Sequence, residues 1–290
     1  MVHGTARAGW LGALLLTATG VARAQIAGGE TWYEPTRVGA PLVLFLVFSI
    51  LVLVFIDRSR RGAQLFIRRI AGINAIEEAV GRATELGKKV LYLTGAGSLE
   101  EIQTIASLAV LRHVGSLTAR YAVDLDVPCK DPLAFTAARE TVQEAYMQAG
   151  RPDLHTSDIV HYVTYDQFAY TASVTGLMVR EKPAANFLIG QFHAESLLLA
   201  ETGQATGAIQ IAGTAEITQL PFFAVVCDYT LMGEELFAAG AYLSREPAML
   251  GSIKGQDITK AMLIVYMLIG ILLQIFGVHA LKDFMSINGS

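Results

Sequence analysis

The chain holds three long apolar runs, and between the last two it alternates short apolar stretches with amphipathic ones. The run Gly39 to Ile56 is uncharged and would span roughly 27 Å as a helix, close to the roughly 30 Å core of a bilayer. The run Ala261 to Leu281 would span roughly 31 Å by the same arithmetic. A helix apolar on every face for that length suits lipid better than a soluble core. Both runs are therefore expected to be transmembrane helices, at 39–56 and 261–281. The earliest run, Trp10 to Val21, is shorter, follows Arg7 and leads into Ala22-Arg23-Ala24. That is the layout of a signal peptide over residues 1–24.

The basic residues set an expected orientation. Residues 25–38 hold only Arg37, whereas Arg58, Arg60, Arg61, Arg68 and Arg69 follow the first span. The positive-inside rule then places 25–38 and the tail 282–290 outside the cytoplasm and residues 57–260 inside it. Within 57–70 these arginines alternate with Leu65, Phe66 and Ile67, as in a segment lying at the lipid headgroups. Neither span carries Asp, Glu, Lys or Arg, which argues against an ion pathway through this chain alone. Tyr266, Gly270, Gln274 and Gly277 share one face of the second span and are expected to pack against another helix.

Between the spans the period switches repeatedly. Ile73, Ile76, Val80, Ala83 and Leu86 follow helical spacing, and Val90 to Thr94 is a short buried strand ended by Gly95. Ser98 with Glu101 three residues on predicts a capping box opening a helix to His113. Further strands are expected at 120–125, 160–164, 186–190, 208–213 and 222–228. Further helices are expected at 132–148, 165–180, 193–201 and 231–243. Strands alternating with helices give an α/β fold. The expectation for residues 71–257 is a Rossmann-like layered cytoplasmic domain with a mainly parallel sheet, flanked by the two transmembrane helices.

Composition agrees. Residues are 53% hydrophobic and only 17% charged, against about a quarter charged in soluble domains. The net charge of -4 excludes the broad basic face a nucleic-acid binder needs. The two cysteines, Cys129 and Cys227, show no metal or CxxC spacing. Nothing calls for a cofactor or metal.

In open α/β sheets ligands bind beyond the carboxyl ends of the strands, which confines the search to four loops. Gly95-Ala96-Gly97-Ser98 could admit a phosphate to backbone N–H groups, although Glu100 replaces a third glycine and Glu101 adds negative charge. A tight turn is the plainer reading. Asp124 and Asp126, with Cys129 and Lys130 following, could meet a ribose hydroxyl, or serve as turn carboxylates. Gln191, His193 and Glu195 form the most polar cluster at a strand end, and also suit a solvated helix start. Cys227-Asp228-Tyr229 could hold a nucleophile, but an adjacent aspartate raises a thiol pKa, so a buried structural cysteine is the stronger reading. No catalytic residue is assigned.

The segment Ala79-Val80-Gly81-Arg82-Ala83-Thr84-Glu85-Leu86-Gly87, running through Lys88-Lys89-Val90-Leu91-Tyr92-Leu93-Thr94-Gly95, resembles a family of bacterial membrane proteins of unknown function. The resemblance implies a bacterial cytoplasmic-membrane protein and brings no site residues. The leading expectation is a structural or assembly protein that binds copies of itself or another membrane protein. The alternatives are a membrane-anchored module sensing a nucleotide or small ligand, and an enzyme on a membrane-derived substrate.

Overall fold

The computed structural model of the chain describes residues 35–62, 71–244 and 246–275. The expected signal segment, most of 25–38, the tail, Arg68 and Arg69 lie outside the described residues. Two compact units are distinguished, Val52–Ile258 on one hand and Met1–Leu51 together with Thr259–Ser290 on the other.

The larger unit alternates strictly. Helix α2 (Ala71–Leu86) leads into β1 (Val90–Gly95), followed by α3 (Ile102–Tyr121), β2 (Leu125–Cys129) and α4 (Pro132–Gln148). Strand β3 (Val160–Tyr162), α5 (Gln167–Glu181), β4 (Ala185–Gln191) and α6 (Glu195–Ala205) come next. Strand β5 (Ile209–Thr214), α7 (Leu220–Val226), β6 (Tyr229–Met232) and α8 (Glu234–Ser244) complete it. The six strands form one sheet in the order β3-β2-β1-β4-β5-β6, and every pairing is parallel. The α/β expectation with a parallel sheet holds.

Parallel strands must be covered on both faces, because crossover helices lie on both. Alternation along β1 shows how. Val90 and Tyr92 enter a core with Ile76, Val80, Val110, Val114 and Val142 from α2, α3 and α4. Leu91 and Leu93 point the other way, into Tyr170, Val174, Met178, Leu199 and Phe223 from α5, α6 and α7. Each fully buried large side chain contributes about 1.5–3 kcal/mol.

Two expected strands are corrected. Residues 120–125 do not form one. Helix α3 continues to Tyr121, because its packing on the sheet buries Leu117, Thr118 and Ala119, and it ends only where Ala122 turns left-handed at φ 53°. Residues 222–228 are largely helix α7, with Pro221 in its first turn. Phe223 is buried while Phe222, Ala224 and Val225 are exposed. That single inward contact per turn overrides the strand preference of the side chains. The strand instead begins at Tyr229.

The stretch that carries the family resemblance has a plain structural role. Ala79, Val80 and Ala83 are buried on α2, and Gly87 ends the helix at φ 60°. Gly87 N donates to Thr84 O at 3.2 Å and Lys88 N to Ala83 O at 3.1 Å, a Schellman closure that aims the chain into β1.

Helices α1 (Pro35–Arg60) and α9 (Pro247–Ile275) are long and apolar enough to cross a membrane, over Leu42–Arg60 and Pro247–Leu273. Within the larger unit their facing ends run antiparallel in close contact. A Cβ at Gly251 would lie 2.6 Å from Ile56 Cα, and one at Gly255 would lie 2.8 Å from Val52 Cα. This Gly251-x-x-x-Gly255 face lets the two backbones touch. The glycine pair one helical turn apart is visible in the sequence, before the apolar run. Of the expected packing residues, Tyr266 and Gly270 are half-buried on α9, and the side chain of Gln274 and all of Gly277 lie outside the described residues. Arg58 and Arg60 are exposed in the last turn of α1, and Arg61 pairs with Asp57 at 2.6 Å. Replacing Gly251 by Leu should separate the helix ends and cost about 2–4 kcal/mol, whereas Gln256→Ala on the exposed side should be neutral. Thermal unfolding of the detergent-solubilised chain measures both.

Candidate functional site

The strand order reverses between β1 and β4, the two strands whose connections leave toward opposite edges of the sheet. Loops after such a pair diverge, and a crevice opens beyond their carboxyl ends. The junction is built by two glycines. Strand pairing shifts register between Leu93 and Gly95. Gly95 sits at φ 85° with its Cα face 2.4 Å (measured to a would-be Cβ) from Gln191 O. Gly190, at φ 141°, stands likewise 2.3 Å from Thr94 O. No side chain fits at either place, and the left-handed φ is strained for any other residue. Ala96 N then donates to Gln191 O at 2.7 Å, extending the β1–β4 ladder into the loop.

Gly97 differs. A Cβ there would meet Gln191 Oε1 at 2.5 Å and Thr104 Oγ1 at 3.0 Å, both side-chain atoms. So the Gln191 side chain is folded over Gly97. Thr104, in the first turn of α3, is fully buried and its hydroxyl has no hydrogen-bond partner. The same turn is tied to β5, since Gln103 Oε1 accepts from Ala215 N at 2.8 Å and Thr214 Oγ1 at 3.1 Å. Deeper down, Ser107 Oγ donates to Ile189 O at 2.5 Å, and Tyr92 Oη donates to Ser107 O at 2.7 Å. These bonds lock α3 onto both strands of the junction.

The expected capping box is not formed. Helix α3 starts at Ile102, Glu101 is its N-cap without a side-chain bond, and Ser98 lies in the preceding turn, where its carbonyl accepts from Glu101 N at 3.1 Å. Asp124 and Asp126 are at the other end of the molecule. Asp124 precedes β2 and its carbonyl accepts from Val90 N at 2.8 Å. Asp126 is in register with Leu91, near the amino ends of the strands. The shift of β2 toward the C-terminus moved both away from the crevice, and neither can meet a ligand there.

What stands at the carboxyl end of β2 is Cys129, Lys130 and Asp131. Asp131 is buried as the N-cap of α4, accepting from Ala134 N at 2.8 Å. Lys130 Nζ donates to Ala96 O at 3.3 Å and lies 5.1 Å from the centroid of the Tyr165 ring. Tyr165, just past β3, is 68% exposed. The ends of β1, β2 and β3 thus meet at one lysine. Thr104 and Tyr165 read in the sequence as ordinary helix-face residues, and the topology puts one beneath Gly97 and the other beside Lys130.

His193 is exposed at the end of the β4 loop, and its backbone N–H donates to Glu195 Oε1 at 3.1 Å. Glu195 is buried and its other oxygen accepts from Gln167 Nε2. This carboxylate satisfies backbone and amide donors at the start of α6. Burial pushes both thiols up to about 12, Cys227 with help from Asp228. Such a shift disfavours the thiolate form that a cysteine nucleophile needs. Asp228 is itself structural, with Oδ2 accepting from Gln210 N at 2.8 Å. No group of three or more His, Cys, Asp or Glu able to hold a metal occurs among the described residues. Glu78, Arg82 and Glu85 are exposed on α2.

Two outcomes follow from this geometry. Gly95→Ala should destabilise the chain by about 3 kcal/mol or more, because both backbone strain and a main-chain clash oppose it. Gly97→Ala should cost less, about 1–3 kcal/mol, since the new methyl meets side-chain atoms of Gln191 and the buried Thr104 rather than backbone. Paired thermal melts separate the two. The second outcome concerns Asp126, held 3.4 Å from His161 Nδ1 without hydrogen-bond geometry. Burial raises its pKa, opposed by His161 and then Lys89. A carboxyl raised on folding favours the protonated native state. Its contribution is full below the unfolded value of about 4 and is lost as pH rises through the folded value. Asp126→Asn should therefore gain stability over the parent as pH increases above about 4, measured as the difference in Tm across a pH series.

Comparison with curated proteins and with solved structures gives no match. The model of one family, a domain of unknown function (DUF6754), matches residues 28–285. A match over that span takes in the helix α2–β1 stretch, the whole sheet and both long apolar helices, and the chain belongs to the DUF6754 family.

Proposed function

We propose that the chain is a membrane-anchored module of the bacterial cytoplasmic membrane that binds a small, nucleotide-sized ligand in the crevice between β1 and β4. The observation that carries this reading is the strand order, which reverses at β1 and β4. It is the order of the Rossmann-type doubly wound sheet, whose ligands sit at that reversal. The unpartnered Thr104 hydroxyl behind Gly97 supports it, because a buried polar group without a partner costs about 1–3 kcal/mol unless something satisfies it in use. Helices α1 and α9 serve as the anchors. Arg58, Arg60 and Arg61 at the end of α1 support a cytoplasmic position for the α/β unit.

A second reading is assembly, in which the module associates with its own copies. Strand β6 is an edge of the sheet, and Val225 and Ile217 near it are 83% and 80% exposed. Exposed edges flanked by apolar residues favour association.

Native mass spectrometry of the gently extracted chain, with and without Gly97→Leu, decides between them. The ligand-binding reading expects a stoichiometric small-molecule mass in the parent that the variant loses while its circular dichroism shows the chain still folded, at a lowered Tm. A mass retained by the variant puts the ligand elsewhere. A defined oligomer with no small molecule favours assembly.

A further inference from the structure

Most polar groups at the carboxyl ends of the strands are already employed. Asp131 caps α4. Asp166 caps α5, accepting from Ala169 N at 2.8 Å. Glu195 holds Gln167 and the His193 N–H, and Gln103 holds the end of β5. Three groups stand apart. Lys130 has a carbonyl and an aromatic ring as its contacts and forms no ion pair with any described residue. Thr104 holds a buried hydroxyl with no partner beside Gly97, underneath the Gln191 side chain. Tyr165 keeps one face against Lys130 while being 68% exposed, and Phe168 beyond it is 73% exposed.

These three imply one kind of ligand. An ammonium without a counter-charge, next to a glycine-bounded loop, is suited to an anion. The exposed face of a tyrosine beside it suits a flat ring, because every base has a π-face to stack. Resting on the crevice reading above, we propose that the site takes a nucleoside monophosphate. The base stacks on the free face of Tyr165. The phosphate lies on Lys130 and the backbone of Gly95–Ser98, and reaches Thr104 Oγ1 when the half-buried side chain of Gln191 swings aside.

The charge count favours a single phosphate. Glu100 and Glu101 stand exposed just before α3, and their carboxylates oppose each further phosphate charge brought to this loop. One lysine offsets only part of the charge of one phosphate, about −1.5 to −2 at neutral pH, and a smaller share of two. A sugar phosphate without a base would leave Tyr165 unused, and a nucleoside without phosphate would leave Lys130 unused.

The test is isothermal titration of the full chain in detergent with AMP, GMP, adenosine, ribose 5-phosphate and ADP. AMP or GMP should bind at least about 10-fold more tightly than either adenosine or ribose 5-phosphate, and more tightly than ADP. Lys130→Met should weaken AMP by at least about 10-fold and leave adenosine unchanged. Tyr165→Ala should weaken AMP and spare ribose 5-phosphate, while Tyr165→Phe keeps AMP affinity. Both substitutions are at the rim, and unchanged melting temperatures exclude unfolding as the cause. Equal affinity for AMP and adenosine, or an inert Lys130→Met, overturns the phosphate assignment. If no nucleotide binds but the small-molecule mass displaced by Gly97→Leu persists, the ligand class is wrong and the crevice stands. If there is neither, both readings fall.

Discussion

The closeness of β1 and β4 at their carboxyl ends governs the rest of the larger unit. Gly95 and Gly190 let the two backbones approach where any side chain would collide with a carbonyl. The register slips there, and the slip turns Gln191 over Gly97. It also leaves the Ile189 carbonyl to accept from Ser107, which fixes α3 to both strands. Without those glycines the loops could not diverge from so tight a pairing. The crevice and the packing of the longest helix of this unit share one cause.

The chemistry left at the strand ends is decided by what the fold consumes. Three carboxylates in these loops, Asp131, Asp166 and Glu195, cap helices or bind backbone N–H groups, and Asp228 does the same at the amino ends. That is the general fate of short acidic side chains at helix starts. Both thiols are held far above neutral pH by burial. Lys130, the buried Thr104 hydroxyl and the exposed face of Tyr165 are not consumed in this way. The glycine contact between α1 and α9 follows the same physics as the sheet junction. Gly251 and Gly255 remove side chains where two backbones must touch.

The sequence by itself determined the class of the fold. Strand–helix alternation with fully apolar strands can only be buried as a parallel sheet covered on both faces, and helices α4, α5 and α8 and strands β3 to β5 fall close to where the pattern put them. The two uncharged runs were legible for the same reason, since length and composition are local. Patterns at the helix–strand boundaries were not. Residues 120–125 and 222–228 carry strand-like side chains, yet packing of one helical face against the sheet decided otherwise. The candidate site depended on that decision. Moving β2 toward the C-terminus took Asp124 and Asp126 to the amino ends and put Lys130 at the carboxyl end. Which strand lies beside which is set by contacts far apart in the chain. Only the tertiary structure could bring Gly97 and Thr104, from the β1 end, near Lys130 and Tyr165, from the β2 and β3 ends, because neighbourhood in a parallel sheet is made by crossovers and leaves no local mark in the sequence.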